Sequence, residues 1–389
     1  MPGHDAKNLS IGLVFDDSLD SNDGVAQYVK TLGAWLSQRG HKVSYLVGET
    51  KLAEWAGGKV YSLSKNQTVS FNGNKLSIPL PGNGRRVREF MKHHRFDVLH
   101  VMVPYSPFMA EKAILAAPPT TAIVGTFHIF PSGNTSFWGS KLLRLTLRRS
   151  LRKFGQIVSV SQVAAGFAQS AYHISSYVIP NPVDISAFKP AKAFKKHPDE
   201  IVFLGRLVKR KGVAQLINAF QLLSQSNPNA RLVIAGKGPL RQALESQVAT
   251  LGLSSKVEFL GYIDEADKSR LLGKAAIACF PSLYGEAFGI VLIEAMASGA
   301  IAVLGGDNPG YRSVLVPQPK LLIDPRNAAV FAGRLKELLE DEALQKQVHE
   351  WQQQTVEQYD INVVGAQILG LYDSAIARLG KNDDNNRYG

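Results

Sequence analysis

Cysteine is almost absent from this chain of 389 residues, in which only Cys279 occurs. A single thiol cannot form an internal disulfide, and the sequence contains no cluster of cysteine and histidine at zinc-binding spacing. These absences argue against a disulfide-stabilised secreted protein and against a structural zinc site. We therefore expect a protein of a reducing compartment, the cytoplasm.

Long apolar runs are also missing. The best candidate, residues 113–129, is interrupted by Pro118, Pro119 and several threonines and contains His128. A helix that spans a bilayer needs about 20 predominantly apolar residues. The first ten residues also lack the apolar core of a signal peptide. We expect neither a membrane-spanning helix nor a secretory leader.

Acidic residues are scarce relative to basic ones, but only in the first half of the chain. Residues 1–190 contain 21 lysines and arginines against 11 acidic residues, whereas residues 191–389 contain 23 against 21, which gives the net charge of +12. This asymmetry indicates an anionic partner for the N-terminal half, either a nucleic acid or a membrane surface. The length exceeds what one hydrophobic core usually supports, so we expect two domains.

The N-terminal residues predict the start of a parallel, doubly wound α/β sheet. A strand at 10–15, a polar loop, a helix at 25–38 and a strand at 41–48 form a β-loop-α-β unit. Ligands bind at the carboxyl ends of such strands, and Gly24 in the loop can bring the backbone close to a phosphate. Asp16 and Asp17 could ligate a metal, but carboxylates at strand ends are more often solvated or cap the next helix, and we expect no metal.

Two basic amphipathic stretches follow. Residues 84–95 place Val87, Phe90 and Met91 on one side and basic residues on the other, and residues 141–153 follow the aromatic pair Phe137 and Trp138. One such helix would indicate only a solvated face, but two in one domain favour binding to an anionic membrane surface. Nucleic acid is disfavoured because no recognised binding motif accompanies the charge.

The stretch from Ser282 to Gly299 is the most informative. Glu294 is the only charged residue of an apolar helix, and Glu286 lies just before it, close to first-turn amides that suit an anion. A sugar-phosphate site fits this pattern. A core helix with one capping and one internally paired glutamate fits it equally well, and the stretch by itself leaves both open.

Other strand ends of the C-terminal half carry candidate ligand-binding residues. Arg206 and Lys211 follow a predicted strand and supply two cations for a phosphate. Gly236 and Lys237 lie between a strand and a helix, but Arg241 stands where a dinucleotide-binding motif needs a small residue, which disfavours a dehydrogenase. His128 ends an apolar strand in the N-terminal half. A lone histidine there is most often a satisfied core residue.

Glu286-x7-Glu294 in the setting GEAFGIVLIEAMASG resembles the donor-site signature of retaining glycosyltransferases of family 4. The GR-x4-KG element at Arg206 to Gly212, GTFH ending at His128 and FDVLHV make the chain most similar, within that family, to phosphatidylinositol mannosyltransferases. The resemblance implies the GT-B fold, two Rossmann-like domains that face a cleft. It implies domains at 1–188 for the acceptor and 189–357 for the nucleotide sugar. A crossover helix at 358–379 and a disordered tail at 380–389 would follow.

The resemblance also implies roles for individual residues. The first glutamate binds hydroxyls of the transferred sugar, the amides after it hold sugar and phosphate, the second glutamate binds the ribose, and the cations bind the diphosphate. The expected catalytic residues are His128, Glu286, Arg206 and Lys211. The expected donor-binding residues are Gly24, Arg206, Lys211, Gly236, Lys237, Tyr262, Ile263, Glu286, Phe288, Gly289, Ile290 and Glu294. Asp23 and Pro182 replace glycines of the family pattern.

The implied reaction transfers a hexose, mannose from GDP-mannose, to a membrane lipid such as phosphatidylinositol, with retention of anomeric configuration and without a metal or other cofactor. The protein would act from the cytoplasm, peripherally on the inner face of the cell membrane. Two alternatives stay open: a transferase that uses a UDP-linked sugar and a soluble or polysaccharide acceptor, and a non-catalytic protein that binds nucleotide sugars.

Overall fold

The computed structural model describes residues 8–21, 23–71, 74–79, 84–128, 143–189 and 194–387. The chain divides into two compact units. The first unit combines Met1–Pro182 with Ile361–Gly389, and the second is Val183–Asp360. The sequence pattern places the first boundary six residues later, after residue 188, so the IPNPVD segment itself lies at the division.

The first unit is built on an eight-stranded sheet of order β10-β9-β8-β7-β1-β2-β4-β3, beside a separate β5-β6 hairpin. Its strands are β1 (Ser10–Phe15), β2 (Lys42–Val47), β3 (Glu54–Trp55), β4 (Gly58–Ser62), β5 (Asn66–Phe71), β6 (Asn74–Pro79), β7 (Val98–Val101), β8 (Ala122–Phe127), β9 (Gln156–Ser159) and β10 (Tyr177–Val178). Apart from β3 with β4, the sheet pairs are parallel. The central strands are almost entirely apolar because helices cover both faces of such a sheet.

The helices of this unit before the division are short except for the first. They are α1 (Gly24–Gln38), α2 (Gly84–His93), α3 (Met109–Ala116), α4 (Arg148–Leu151) and α5 (Gln162–Phe167). Residues 143–146 are also helical, whereas Lys141, Phe137 and Trp138 lie outside the described residues. In α2 the predicted apolar side is the inner one, with Val87 and Met91 buried and the basic residues exposed. Across the described ranges, no helix combines the length and apolar character needed to cross a bilayer.

The second unit contains a six-stranded parallel sheet of order β13-β12-β11-β14-β15-β16. Its strands are β11 (His197–Leu204), β12 (Arg231–Ala235), β13 (Val257–Gly261), β14 (Ala275–Phe280), β15 (Ala302–Gly306) and β16 (Leu322–Ile323). Its helices are α6 (Ile185–Phe188), α7 (Val213–Ser226), α8 (Arg241–Thr250), α9 (Glu265–Lys274), α10 (Ile290–Ala297), α11 (Pro309–Leu315), α12 (Ala328–Glu340) and α13 (Glu342–Val356). Because every strand runs the same way, the loops after the strands gather at one edge of the sheet.

The chain then returns to the first unit as α14 (Ile361–Arg387). The indole Nε1 of Trp35 donates to Asn362 Oδ1 at 3.0 Å, and the phenol of Tyr372 is buried against His100, whose Nδ1 lies 2.7 Å from its oxygen. The helix continues into the segment 380–389 that the sequence pattern marks as disordered. Extending an existing helix adds one hydrogen bond for each residue that is fixed, so a polar segment can follow a helix that is already packed.

The segment 189–198, which is rich in lysine and proline, is partly fixed to the second unit. Lys196 Nζ donates to the carbonyl of Gly273 at 2.6 Å and to that of Gly299, so one ammonium binds the carboxyl ends of α9 and α10. Cations are favourable at helix carboxyl termini. Residues 190–193 of this segment lie outside the described ranges.

A single buried amide ties α13 to the sheet of the second unit, and we predict that its loss is costly. Gln352 is fully buried, accepts from Val303 N at 2.7 Å, and donates to the carbonyls of Ala300 and Ile301. Gln352→Met keeps the size but removes the partner of the Val303 amide and one partner of each carbonyl, which should lower the free energy of unfolding by roughly 2 to 4 kcal/mol. Chemical denaturation measures the change. Gln354→Met, on the exposed side of the same helix, is the matched control, and an equal effect of both variants would contradict the prediction.

Candidate functional site

The loops that follow β11 and β14 meet at the carboxyl edge of the second sheet. The amide of Leu283 donates to the carbonyl of Arg210 at 2.8 Å, which joins the two loops. Gly212 has a φ of +71°, and a Cβ there would lie 2.0 Å from the carbonyl oxygen of Pro281. Only glycine fits this contact, so the GR-x4-KG element is pressed directly against the segment that carries Glu286.

Glu286 is held by two cations from this loop. Its Oε1 accepts from Arg210 Nη1 at 2.7 Å and from Lys211 Nζ at 2.8 Å. The three side chains are mostly buried, with 14% of Glu286, 18% of Arg210 and 16% of Lys211 exposed. Burial raises the pKa of Glu286, but the charges of Lys211 and Arg210 outweigh it, and the pKa is lowered overall. The carboxylate is therefore ionised at neutral pH.

The cations that bind Glu286 differ by one residue from the predicted pair, Arg206 and Lys211. Burial lowers the pKa of Lys211, as do the charges of Arg210 and Arg206, so Arg206 lies near enough for its field to act. Arg210 is not among the predicted site residues, although it makes one of the two bonds to Glu286. Its signal in the sequence is the run Lys209-Arg210-Lys211 before a glycine. The structure forms this run into a tight 3-10 turn that aims both Arg210 and Lys211 at one carboxylate.

Glu294 is buried in α10 and pairs with Lys268 of α9. Lys268 Nζ lies 3.4 Å from Oε1 and 3.5 Å from Oε2 of Glu294, and 2.8 Å from Oε2 of Glu265. Burial raises the pKa of Glu294 and Lys268 only partly offsets this, with Glu265 acting in the same direction as burial. The sequence pattern does not identify Lys268 because its partner lies 26 residues away.

The other predicted donor residues surround the same sheet edge. Lys237, after β12, lies with its Nζ 5.2 Å from the ring centre of Tyr262, after β13. Tyr262 is half exposed, and Ile263 beside it is partly buried. Gly236 precedes Lys237 directly. Phe288 packs edge-on against Tyr359, with ring centres 5.7 Å apart, and Gly289 and Ile290 open α10.

In the first unit, His128 follows β8 and is buried. Its ring is edge-on to that of Tyr28, with centres 4.7 Å apart. Burial lowers the pKa of His128 to about 3, an effect that Asn181 partly offsets, so the imidazole is neutral. Within the described part of the chain its Nε2 has no hydrogen-bond partner. Such a buried nitrogen remains able to bond a ligand.

The acidic residues near β1 are used within the protein. Asp16 Oδ1 accepts from the amide of Ala110 at 2.8 Å, and Oδ2 accepts from the hydroxyl of Ser106. Asp23 caps α1 just before Gly24, accepting from the amides of Val25 and Ala26 at 2.9 and 3.0 Å. Among residues with described positions, no three His, Cys, Asp or Glu side chains are grouped so as to hold a metal ion.

The second-unit cluster offers a defined chemistry. Three cations, an ionised carboxylate and the first amides of α10 lie around one sheet edge, which suits a ligand that carries both anionic and hydroxyl groups. A phosphorylated sugar has both. Of the predicted residues, the structure joins Glu286 to Lys211, and Arg206 lies near enough to Lys211 to act on its charge. Glu294 lies in α10, the helix that begins four residues after Glu286.

Comparisons with known proteins agree with this chemistry. A family model described as Glycosyl transferases group 1 matches residues 184–355, and one described as Glycosyltransferase Family 4 matches residues 22–187. The chain is 32% identical over 375 residues to the phosphatidyl-myo-inositol mannosyltransferase of Mycolicibacterium smegmatis, covering 94% of each chain. It is also 32% identical over 384 residues to the enzyme of that name from Mycobacterium tuberculosis, covering 94% of this chain and 97% of that one.

Solved structures show the fold. A glycosyltransferase from Rickettsia africae superposes with a TM-score of 0.75 at 18% identity, over 94% of this chain and 99% of that one. Anabaena HepE in complex with UDP superposes with a TM-score of 0.76 at 18% identity, over 94% and 100%. The predicted GT-B fold, with two parallel-sheet α/β domains, is therefore confirmed.

The buried carboxyl of Asp16 predicts a pH dependence of stability. Burial raises its pKa from 3.8 to about 6, partly offset by the bonds from Ser106 and Ala110. The folded state therefore binds this proton more tightly than the unfolded state. The resulting contribution to the free energy of unfolding is fully present below pH 3.8 and is lost as the pH rises through about 6. Asp16→Asn does not titrate. As the pH rises from 3.8 to about 6, the free energy of unfolding of this variant should increase by about 3 kcal/mol relative to that of wild type. Denaturation at a series of pH values measures the difference, and a constant difference would refute it.

Proposed function

The chain belongs to the family 4 glycosyltransferases, and from this premise we propose that it transfers mannose from GDP-mannose to a lipid acceptor such as phosphatidylinositol, with retention of anomeric configuration. The names of relatives that are 32% identical over nearly the full length support the sugar and the acceptor. The observation that carries the donor chemistry is the ionised Glu286 held by Arg210 and Lys211 at the sheet edge.

The proposed donor contacts follow from charge. Arg206 and Lys211 bind the diphosphate, because two cations match its charge of about two and charge-assisted hydrogen bonds are the strong ones. Glu286 accepts hydrogen bonds from hydroxyls of the sugar, and Glu294 accepts them from hydroxyls of the ribose. The backbone amides that lead into α10, from Phe288 to Ile290, bind sugar and phosphate oxygens. Gly236 and Lys237 lie nearby, with Tyr262 and Ile263 beside the base.

The proposed chemical step is a front-face displacement. We assign Glu286 to hydroxyls of the sugar and not to its anomeric carbon, which disfavours a double displacement through a covalent intermediate. The cations stabilise the charge that develops on the departing phosphate, which helps to deprotonate the acceptor. We propose that no metal is needed, because Arg206, Lys211 and helix amides perform this role. His128 is neutral and can bond a sugar hydroxyl.

An activity assay tests the function. The purified protein is incubated with GDP-mannose and vesicles that contain phosphatidylinositol, with and without EDTA, and the product linkage is read by NMR. We expect an α-mannosyl lipid in both arms. Transfer only from a UDP-linked sugar or only to a soluble acceptor would favour the first alternative, and absence of both transfer and donor hydrolysis would favour a non-catalytic binding protein. Loss of turnover with EDTA and its return with magnesium would contradict the metal-free mechanism.

A membrane surface on the first unit is the second part of the proposal. Helix α3 packs against both α2 and α4, which carry exposed basic residues. Leu115 of α3 and Leu145, just before α4, are 44% and 64% exposed. Basic residues beside exposed apolar side chains suit an anionic bilayer interface. We propose that the protein works peripherally on the inner face of the cell membrane, where the acceptor is reached. Lys153 is an exception, because its Nζ binds carbonyls at the end of α3.

Donor binding should depend on the cation loop. Arg206→Ala and Lys211→Ala each remove a charge-assisted contact to the diphosphate, so each should weaken GDP-mannose binding by roughly 1.5 to 3 kcal/mol. Calorimetric titration measures the affinity. Lys209→Ala removes an exposed cation from the same turn and is the matched control. Affinity within about twofold of wild type in both test variants would show that Arg206 and Lys211 do not bind the diphosphate.

Membrane binding should depend on α2. Replacing Arg85, Arg86 and Arg88 by serine should lose on the order of 3 kcal/mol of attraction to anionic lipid, over a hundredfold, and wild-type binding should fall with salt. Their side chains are exposed, so the core face of α2 is preserved. Sedimentation with anionic and neutral vesicles, beside a donor titration, is the measurement. The control replaces Arg326, Lys336 and Lys346 of the second unit. Equal binding to both vesicle types would show that the basic side of α2 is only a solvent-exposed helix face.

A further inference from the structure

Two buried tyrosines contact the segment that leads into α10, Phe288–Ile290, which we call the donor segment. Gly289 has a φ of +137°, and a Cβ there would lie 2.8 Å from Cδ1 of Tyr311. One residue earlier, the ring of Phe288 packs edge-on against that of Tyr359, with centres 5.7 Å apart, and both residues are buried. Gly289 is the N-cap residue of α10 and has no side chain to bond the amides that follow. The proposed function assigns these amides to oxygens of the donor.

Tyr359 lies at one of the two places where the chain passes between the units. The division falls after Pro182 and again after Asp360. Val183 is therefore the first residue of the second unit, and Tyr359 is its last but one. Tyr359 also ends a 3-10 turn, Glu357–Tyr359. Both passages thus begin or end in the second unit beside a residue whose contacts are described.

The two passages are bonded to each other within the second unit. The amide of Val183 donates to the carbonyl of Tyr359 at 2.9 Å, and Val183 forms a parallel bridge with Asp360. Lys189 Nζ also lies 2.5 Å from Glu357 Oε1, but the two side chains are 47% and 56% exposed. Exposed ion pairs contribute little to stability. The backbone bond is the stronger link, and the residue that accepts it is the one whose ring contacts the donor segment.

One residue therefore joins the donor segment to both chain passages. The ring of Tyr359 contacts Phe288, and its carbonyl binds the amide of Val183. Hydrogen bonds to a ligand restrict the donor segment, and a restricted segment lowers the entropic cost of ordering what packs against it. Binding at the donor segment should therefore make opening of the Val183 hydrogen bond less frequent.

From these contacts we propose that Tyr359 is a positioning residue that couples binding of the donor diphosphate at the donor segment to ordering of the two chain passages. The inference rests on the proposed function, which assigns phosphate oxygens to the donor segment. The backbone bond to Val183 can form with any side chain at position 359, so the coupling depends on the aromatic ring. Tyr359→Phe retains that ring, and Tyr359→Leu removes it.

Amide hydrogen exchange at Val183 in the full chain, with and without saturating GDP, tests the coupling. In wild type, GDP should slow this exchange about tenfold, which lies within the usual range of coupling between two sites. In Tyr359→Leu the slowing should fall below about twofold, because the contact that transmits it is lost. Tyr359→Phe should behave as wild type does.

Phe331→Leu is the matched control, since it removes a buried ring of α12 in the same unit. It should lower thermal stability, as Tyr359→Leu does, but preserve the slowing at Val183. A purely structural role of Tyr359 would give the same slowing in both leucine variants. Should Tyr359→Leu fail to fold, Phe288→Leu removes the other ring of the pair and decides the question.

The outcomes separate this inference from the function on which it rests. If wild type binds neither GDP, GDP-mannose nor their UDP counterparts, the proposed function is overturned and the inference with it. If a nucleotide binds wild type but leaves exchange at Val183 unchanged, or slows it equally in Tyr359→Leu, only the inference is overturned. Loss of the slowing in Tyr359→Leu together with its retention in Tyr359→Phe and Phe331→Leu would support the inference.

Discussion

The carboxylate of Glu286 in its mostly buried position is the constraint around which the second domain is arranged. Taking a charge out of water is costly unless cations and hydrogen bonds replace the solvent, and removing one partner of such a pair typically costs about 3 to 5 kcal/mol. The domain supplies these partners from the loop after β11, whose Arg210 and Lys211 both bind the carboxylate. The close contact at Gly212 follows, because the cations reach Glu286 only if the two loops touch.

The first domain uses its charges differently. Asp16 caps α3 across the sheet, Asp23 caps α1, and Lys153 binds the carbonyls at the other end of α3. The first amides of α1 are thus occupied by a carboxylate of the protein itself, where Gly24 had suggested room for a phosphate. His100 and His128 are both buried and neutral, with pKa values lowered to about 3, so this half of the protein presents hydrogen-bonding groups and an exposed basic surface. Under the proposed function, the diphosphate is therefore bound by the second domain, through Arg206 and Lys211.

The sequence could predict the features that depend on local pattern. Strand ends, the helix after Glu286 and the inner face of α2 follow from apolar periodicity and glycine placement, and the family resemblance assigned the fold correctly. Arg210 was missed because adjacent residues normally point apart, and only the 3-10 turn directs both Arg210 and Lys211 at one oxygen. Lys268 was missed because Glu294, the carboxylate that it pairs with in α10, comes from another element. A contact of this kind leaves no periodic trace in one sequence.

The two interpretations of the Ser282 to Gly299 stretch, a core helix with paired glutamates and a sugar-phosphate site, are not exclusive. Glu294 pairs with Lys268 and Glu286 with Arg210 and Lys211, as the core interpretation requires. A binding site that is empty must still neutralise its buried carboxylates, since an unpaired buried charge would destabilise the fold. The cations that do this in the free protein are the ones a diphosphate would recruit, so donor binding is an exchange of partners. Such an exchange requires that hydroxyls of the sugar bind Glu286 as its cations turn to the diphosphate, because a buried carboxylate without hydrogen-bond donors is costly.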